Sequence, residues 1–233
     1  MLTPSLASTP KVAIAVEQYC NGLAPELPSR ILEHQQYTSE NVSNPNMMIS
    51  GFEAKVLTWI ARDRKAKRIL EIGCFSGFSA LVWAECAASL GGSVTSLEID
   101  EKMIAMAKEA IHAQGQQDTI TIITGPAATT MKTLEGQYDL IFIDADKPNY
   151  ITYFDTVLER NLLAPNGIIL ADNTLYRGLV CIRSPENPFG TDEERVAMSN
   201  HLDAFNKHVA KDKRVDQVIL PLFDGLSMIR LNL

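Results

Sequence analysis

The stretch RILEIGCFSGFSALVWAECAASLGGSVTSLEI, residues 68–99, decides the fold. It opens on a short apolar run, residues 68–73, that reads as a buried strand. Glycines at 73 and 77 bracket a turn. A helix then covers 77–90, and a second apolar run at 93–99 reads as strand again. The same alternation continues with a helix over 101–114, which puts Met103, Ile104, Ala107, Ala110 and Ile111 on one side. Further strands come at 119–124, 138–144 and 167–172. Strands alternating with helices require parallel pairing and predict a doubly wound α/β sheet.

Two apolar runs at the end, 215–222 and 226–231, are joined by Phe223-Asp224-Gly225. Asp-Gly signals a hairpin, so a seven-stranded, mostly parallel sheet should close with an antiparallel pair. Residues 1–46 read as a helical lid or dimer-forming segment with an extended break around Asn44-Pro45-Asn46. Residues 47–233 form the core of the same single domain.

The composition fits this architecture and removes several function classes. The 233 residues are 46% hydrophobic and 21% charged, which is ordinary for a globular protein. The net charge of −7 comes with no dense Lys/Arg run, so binding to a nucleic acid backbone has no electrostatic footprint. Cys20, Cys74, Cys86 and Cys181 are scattered and form no zinc or disulfide pattern, which suits a reducing compartment. Residues 1–11 lack the apolar run of a signal peptide and no stretch approaches a membrane span, so the expected address is cytoplasmic.

Ligands of an open α/β sheet sit beyond the carboxyl ends of its strands. At the first such end, Gly73 and Gly77 read either as a structural turn or as a loop that admits a ligand to the backbone. A dinucleotide fingerprint needs a second glycine where Phe75 stands, so a ligand without pyrophosphate fits better. At the second, Glu98 lies 21 residues after Gly77, close to the offset of an acidic residue that holds ribose hydroxyls. Either Glu98 or Asp100 could cap the next helix. Asp100 is the better cap, which leaves Glu98 for the ligand.

Two further strands end in Asp144 and Asp172, the latter directly before Asn173. Each alone reads as a turn or helix cap. Together they offer three oxygen donors to a hard cation such as Mg²⁺. Lys147 stands close by in the chain. Beside a dication its ammonium is disfavoured, which lowers its pKa and makes it a candidate base.

The runs RILEIGCFSGFSA, SLEID, GPA at 125–127, FIDADKPNY and ADNTLYRG, in this order, resemble the cation-dependent O-methyltransferases typified by plant caffeoyl-coenzyme A and animal catechol enzymes. The resemblance extends from about Met47 to Asp224-Gly225. It implies S-adenosylmethionine as donor, contacted by Glu71, Gly73, Ser79, Glu98, Ala127, Asp144 and Asp146, with Met47 and Ile49 flanking it. It also implies Mg²⁺ or Mn²⁺ on Asp144, Asp172 and Asn173, Lys147 as base with Asp144 in the catalytic pair, and a homodimer. The acceptor would be a small phenolic with two adjacent hydroxyls, met by Met47, Lys147, Asn173, Tyr176 and Arg177. Catechol-type members carry a Glu after the closing Asp-Gly-Leu, where this chain has Ser227, as plant members also lack it.

The stretch 175–195 is polar and rich in Pro and Gly, the character of a substrate loop. Its Arg177 or Arg183 could meet an acidic tail on a bulky acceptor, or simply face water. Two rival readings are an NAD-dependent oxidoreductase and a non-catalytic cofactor-bound interaction protein.

Overall fold

The computed structural model describes residues 9–232. Expectations for residues 1–8 and 233 lie outside them. Three helices come first: α1 (Pro10–Leu23), α2 (Ser29–Asn41) and α3 (Gly51–Asp63). The alternation read from the sequence is then β1 (Arg68–Ile72), α4 (Phe78–Ala87), β2 (Ser93–Glu98), α5 (Glu101–Ala113), β3 (Ile120–Thr124), the short α6 (Ala127–Thr130), β4 (Tyr138–Ile143), α7 (Tyr150–Glu159) and β5 (Leu163–Ala171). The chain ends with α8 (Glu193–Lys211), β6 (Val215–Leu220) and β7 (Leu226–Leu231).

All seven strands form one sheet in the order β3-β2-β1-β4-β5-β7-β6. The first five pair in parallel, and β7 runs antiparallel to both β5 and β6. This is the Rossmann-like, doubly wound sheet with a closing hairpin that the sequence predicts.

The apolar runs of the central strands exist because both faces are covered. Successive residues point to opposite sides, so Ile69, Leu140, Phe142, Ile168 and Leu170 join one core with α2, α3 and α4. Leu70, Ile72, Ile141, Ile143 and Ile169 join the other with α7 and α8.

Three local expectations are corrected. The break at Asn44-Pro45-Asn46 is not extended: Pro45–Met47 forms a 3₁₀ turn, which proline's fixed φ suits at a first helical position. β5 begins four residues earlier than expected, because a register shift opposite Tyr138 and Leu140 lets the strand accommodate Pro165. Residues 193–195 are not loop but the first turn of α8, capped by Asp192.

The topology defines the site. The chain leaves β1 outward through β2 and β3, then returns to β4 on the other side of β1. A crevice opens where that direction reverses, at the carboxyl ends of β1 and β4. The register brings the strand ends level: Ile72 pairs with Leu97 and with Ile143, and Ile143 pairs with Ala171. The next residue of each strand is therefore Gly73, Glu98, Asp144 or Asp172, which fall in one row. Gly73 has no room for a side chain there. A Cβ on it would sit 2.0 Å from the Asp144 carbonyl oxygen, and its φ of +95° disfavours any other residue.

Candidate functional site

A cavity of about 1300 Å³ opens above this row. Its walls include Met47, Ile49, Gly73, Ser79, Glu98, Ala127, Asp144, Asp146, Lys147, Asp172, Asn173, Tyr176 and Arg177. Every candidate site residue from the sequence is thus gathered at one place, except Glu71, Arg183 and Ser227. The volume exceeds the common range for a single small-molecule pocket, roughly 300–1,000 Å³, and leaves room for two ligands side by side.

Backbone strain concentrates at the same place. Seven non-glycine residues among those described have positive φ, and five of them, Phe75, Asn173, Tyr176, Arg177 and Phe223, line the cavity. Such conformations cost about 1–3 kcal/mol each and persist where the surroundings over-determine them, as at binding sites.

The loop after β1 is held from two sides. Glu98 does not stand free for a ligand, as the sequence reading supposes. Its Oε2 accepts from the backbone N–H groups of Cys74 and Phe75 at 3.1 and 2.7 Å, and its Oε1 from those of Ile99 and Asp100 at 2.8 and 2.9 Å. A carboxylate has about four acceptor positions, so a ribose must share these bonds or take their place. Asp100 caps α5, accepting from Lys102 and Met103. Behind the loop, His34 of α2 donates through Nε2 to the Ser76 carbonyl at 2.8 Å, and Thr38 donates to the Ser76 hydroxyl at 3.0 Å. The N-terminal segment therefore buttresses this loop through α2, while residues 42–50 contribute to the cavity rim.

Glu71 lies beneath the loop and does not reach the cavity wall. It is fully buried, with Oε1 accepting from the Trp83 indole at 3.0 Å and Oε2 from the Ser96 hydroxyl at 2.6 Å. Burial pushes its carboxyl up to about 7 against those hydrogen bonds. Its position is that of a scaffold under the loop.

The other end of the cavity carries the charges. Lys147 Nζ lies 3.1 Å from Asp144 Oδ1, 2.6 Å from Asn173 Oδ1 and 2.8 Å from the Tyr150 hydroxyl. Tyr150, which the sequence reading missed, is fully buried and donates to the Asp172 carbonyl oxygen at 3.1 Å. Asp172 is 3% exposed, and its Oδ1 accepts from the Asn173 N–H. The expected lowering of the Lys147 pKa is not what these side chains produce on their own. Burial pulls its ammonium down, but Tyr150, Asp144 and Asp172 outweigh that and hold it well above the ordinary lysine range.

Glu53 is the second omission of the sequence reading. It comes from α3, is 4% exposed and faces Asp172. Burial, then Asp172 and Asp144, push its carboxyl up to about 9. Burial and Asp144 push Asp172 up to about 7. The signal for Glu53 was an ionisable residue on the apolar face of an amphipathic helix, between Ser50 and the buried Ala54 and Leu57.

These two acids make stability depend on pH. Both bind protons more tightly folded than unfolded, where the ordinary values are 4.5 and 3.8. Their contribution to stability is present below those values and is lost as pH rises through the raised, coupled titration of the pair. In EDTA the melting temperature should fall between pH 5 and pH 9, on the order of 5 °C or more. Glu53→Gln should flatten that slope. A metal-stripped protein equally stable at both ends would contradict the arrangement.

The remaining predicted residues separate. Tyr176 and Arg177 reach the rim, where the Arg177 guanidinium lies 4.7 Å over the Phe189 ring and Arg195 packs on the same ring at 5.0 Å. Asp224 in the hairpin turn accepts from the Arg177 backbone N–H and anchors this rim. Gly225 must be glycine there, because a Cβ would sit 2.4 Å from the Leu175 nitrogen. Arg183 is turned away into an ion pair with Asp203 at 3.2 Å. Ser227 is fully buried, accepts from Gln217 and does not line the cavity, so it leaves no gap in an acceptor pocket.

Whether these residues suit a divalent cation can be asked of the donors themselves. Asp144, Asp172 and Asn173 offer only oxygen, the preference of a hard cation, and the Lys147 ammonium already sits on two of the three as a cation would. Among the described residues no three His, Cys, Asp or Glu side chains stand close enough to hold a metal by themselves. A site here therefore depends on the asparagine. The set fits.

A strand-end glycine loop, an acidic residue at the end of β2 and a buried carboxylate–lysine cluster share one cavity of this sheet, as expected of a Rossmann-like methyltransferase. The O-methyltransferase family profile matches residues 24–232, and the chain belongs to that family. The match reaches further toward the start than the motifs around Met47 indicate, and it includes the buttressing α2. The chain is 37% identical over 226 residues to the O-methyltransferase ankF of Aspergillus thermomutatus, covering 95% of each. It is 30% identical to the caffeoyl-CoA O-methyltransferase of Stellaria longipes, covering 79% of this chain and 76% of that one. The SAH-bound methyltransferase PaMTH1 of Podospora anserina superposes with a TM-score of 0.93 at 39% identity, covering 99% of this chain and 100% of that one. The resemblance read from the motifs is met at the level of family and enzyme class. The NAD-dependent and non-catalytic readings fall.

Proposed function

We propose that this protein transfers the methyl group of S-adenosylmethionine to one of two adjacent hydroxyls on a small phenolic molecule, with Mg²⁺ or Mn²⁺ as cofactor. The observation that carries this reading is the single cavity shared by the Gly73 loop and the Asp144, Lys147, Asp172, Asn173 cluster. The family membership and a similar methyltransferase solved with SAH support the donor.

Gly73, Ser79, Glu98 and Ala127 surround the adenosine and amino-acid parts of the donor, with Met47, Ile49 and Asp146 beside them. Asp144, Asp172 and Asn173 hold the cation, which when bound supplies positive charge that acidifies an adjacent phenol. Lys147 takes the phenolic proton on its Nζ. The phenolate oxygen then forms its bond to the methyl carbon as the sulfonium bond breaks, leaving S-adenosylhomocysteine. Because the sulfonium already activates the methyl group, the protein's work is alignment and deprotonation.

Tyr176 and Arg177 stand where a bulky acceptor would extend. Arg177 stacks on Phe189, which leaves its charge at the rim for an acidic tail. A homodimer is supported by α1, which leaves Ile14, Tyr19 and Leu23 exposed on one short helix. A cytoplasmic address is supported by four free cysteines, and no helix among the described residues is long and apolar enough to cross a membrane.

The test compares kcat/KM for catechol, caffeic acid, caffeoyl-coenzyme A and an ortho-dihydroxy flavonoid, with a monophenol as control. Methylation of the larger vicinal diols is expected to be the most efficient. Catechol as best substrate would remove the argument from bulk. Efficient methylation of the monophenol would remove the vicinal-diol requirement.

A further inference from the structure

We propose that His34 and Thr38 of α2 are positioning residues for donor binding: through Ser76 they hold the Gly73–Gly77 loop in the shape the donor meets. The inference rests on the reading above that this loop binds the donor. The two residues stand four apart, which puts both on one face of a helix. α2 buries Ile31, His34 and Thr38, so two of its three buried side chains are polar. Apolar residues would dock the helix more readily, since a polar group taken out of water is unfavourable unless hydrogen-bonded.

Both side chains direct their bonds at one residue, 42 and 38 positions further along the chain. His34 Nε2 lies 2.8 Å from the Ser76 carbonyl oxygen. That oxygen can only accept, so the ring carries a proton on Nε2. Thr38 donates its hydroxyl to Ser76 Oγ at 3.0 Å. Ser76 is fully buried, so water does not readily replace either partner. α2 is itself tied down: Gln114 donates to the Arg30 carbonyl oxygen at 3.0 Å, and Arg30 pairs with Glu85 of α4.

Ser76 is where the loop needs holding. It lies between Phe75 at φ +48° and Gly77 at φ +91°, in a turn closed by the Gly77 N–H on the Cys74 carbonyl oxygen at 2.9 Å. A left-handed phenylalanine persists only where its surroundings over-determine it. Glu98 holds the same turn through the Cys74 and Phe75 N–H groups, but those are the bonds a ribose must share or take. The bonds from α2 do not involve Glu98, so they keep the turn when Glu98 engages the donor. Without them the loop relaxes, and donor binding must first restore it. Affinity then falls by the fraction of molecules that still hold the competent shape.

The test is SAH calorimetry on His34→Phe and Thr38→Val, which nearly keep the buried volume and lose the hydrogen bond. His34→Gln and Thr38→Ser, which keep a donor, are measured beside them. SAH affinity should fall about tenfold in the first pair and be largely restored in the second. In turnover the loss should appear as a raised KM for S-adenosylmethionine and disappear at saturating donor. A structural role alone would lower the melting temperature of the unliganded protein and leave the affinity of folded molecules unchanged. Thr38→Val is close to isosteric and keeps the test open should His34→Phe fail to fold. Unchanged SAH affinity in the folded variants, or a fall that the conservative changes do not relieve, overturns the proposal. Glu98→Ala separates this from the reading beneath it. Weaker SAH binding there, with the α2 variants unaffected, overturns this inference alone. SAH affinity unchanged in Glu98→Ala and the α2 variants alike overturns the placement of the donor as well.

Discussion

Stripping divalent cations should abolish methyl transfer, and Asp172→Ala should reproduce that loss in the presence of saturating Mg²⁺. Asp172 is 3% exposed and sits between Asn173, whose N–H it accepts, and the carboxylate of Glu53. It has no lysine or arginine of its own, because Lys147 bonds to Asp144 and Asn173 instead. A buried acid placed in this way is strongly destabilised as an anion unless positive charge arrives. Removing it leaves one carboxylate and one amide of the three proposed donors, and so a single anionic ligand for the cation. The expected fall in kcat/KM is on the order of 10³-fold or more, corresponding to the several kcal/mol that a correctly placed dication contributes. Donor binding should survive, since the Gly73 loop is built from other residues. The measurement is turnover of chelator-treated protein before and after Mg²⁺ or Mn²⁺ is returned, with SAH calorimetry in parallel. Full activity after complete removal of metal would sink the mechanism.

The row of strand ends was legible in the sequence because each central strand is an uninterrupted apolar run. A residue such as Asp144 or Asp172 that ends such a run stands at the sheet's edge, and parallel register does the rest. What the run cannot show is which way a side chain turns beyond the edge. Glu71 lies inside its strand, two residues before Gly73, and the pleat sends it down onto Trp83 and Ser96 rather than into the cavity. Ser227 pairs with Ala171 within the sheet, so the hairpin buries it.

Glu53 and Tyr150 were missed for a different reason. Each belongs to a helix whose position over the site depends on tertiary packing, and each has a plain local reading, as a cap and as a core aromatic. Glu98 illustrates a third limit. Spacing singles it out and the structure puts it on the cavity wall, yet only coordinates reveal that four backbone N–H groups already occupy its oxygens.

Lys147→Ala should lower kcat by about 10²–10⁴-fold, the contribution of a general base, with little change in donor affinity. The structure makes this a demanding test, because its side chains favour the wrong protonation state for a base. Tyr150, Asp144 and Asp172 hold the ammonium form, and Nζ spends its hydrogen bonds on Asp144, Asn173 and the Tyr150 hydroxyl. Two of those acceptors are the proposed cation donors. A divalent charge on Asp144 and Asn173 would disfavour the ammonium relative to the metal-free site and so shift the lysine toward its neutral amine. Base and metal site are thus linked through shared oxygens, and the lysine should act only when the cation is bound. Lys147→Arg distinguishes this from a purely electrostatic role. Arginine supplies positive charge but does not deprotonate in proteins, so it should be as inactive as alanine if Nζ accepts the phenolic proton. Kinetics across pH 6–10 at saturating Mg²⁺ complete the test. The wild-type rate should rise through an apparent pKa that both variants lack. Activity restored by arginine, or an unchanged pH profile in the alanine variant, would assign the proton to another acceptor.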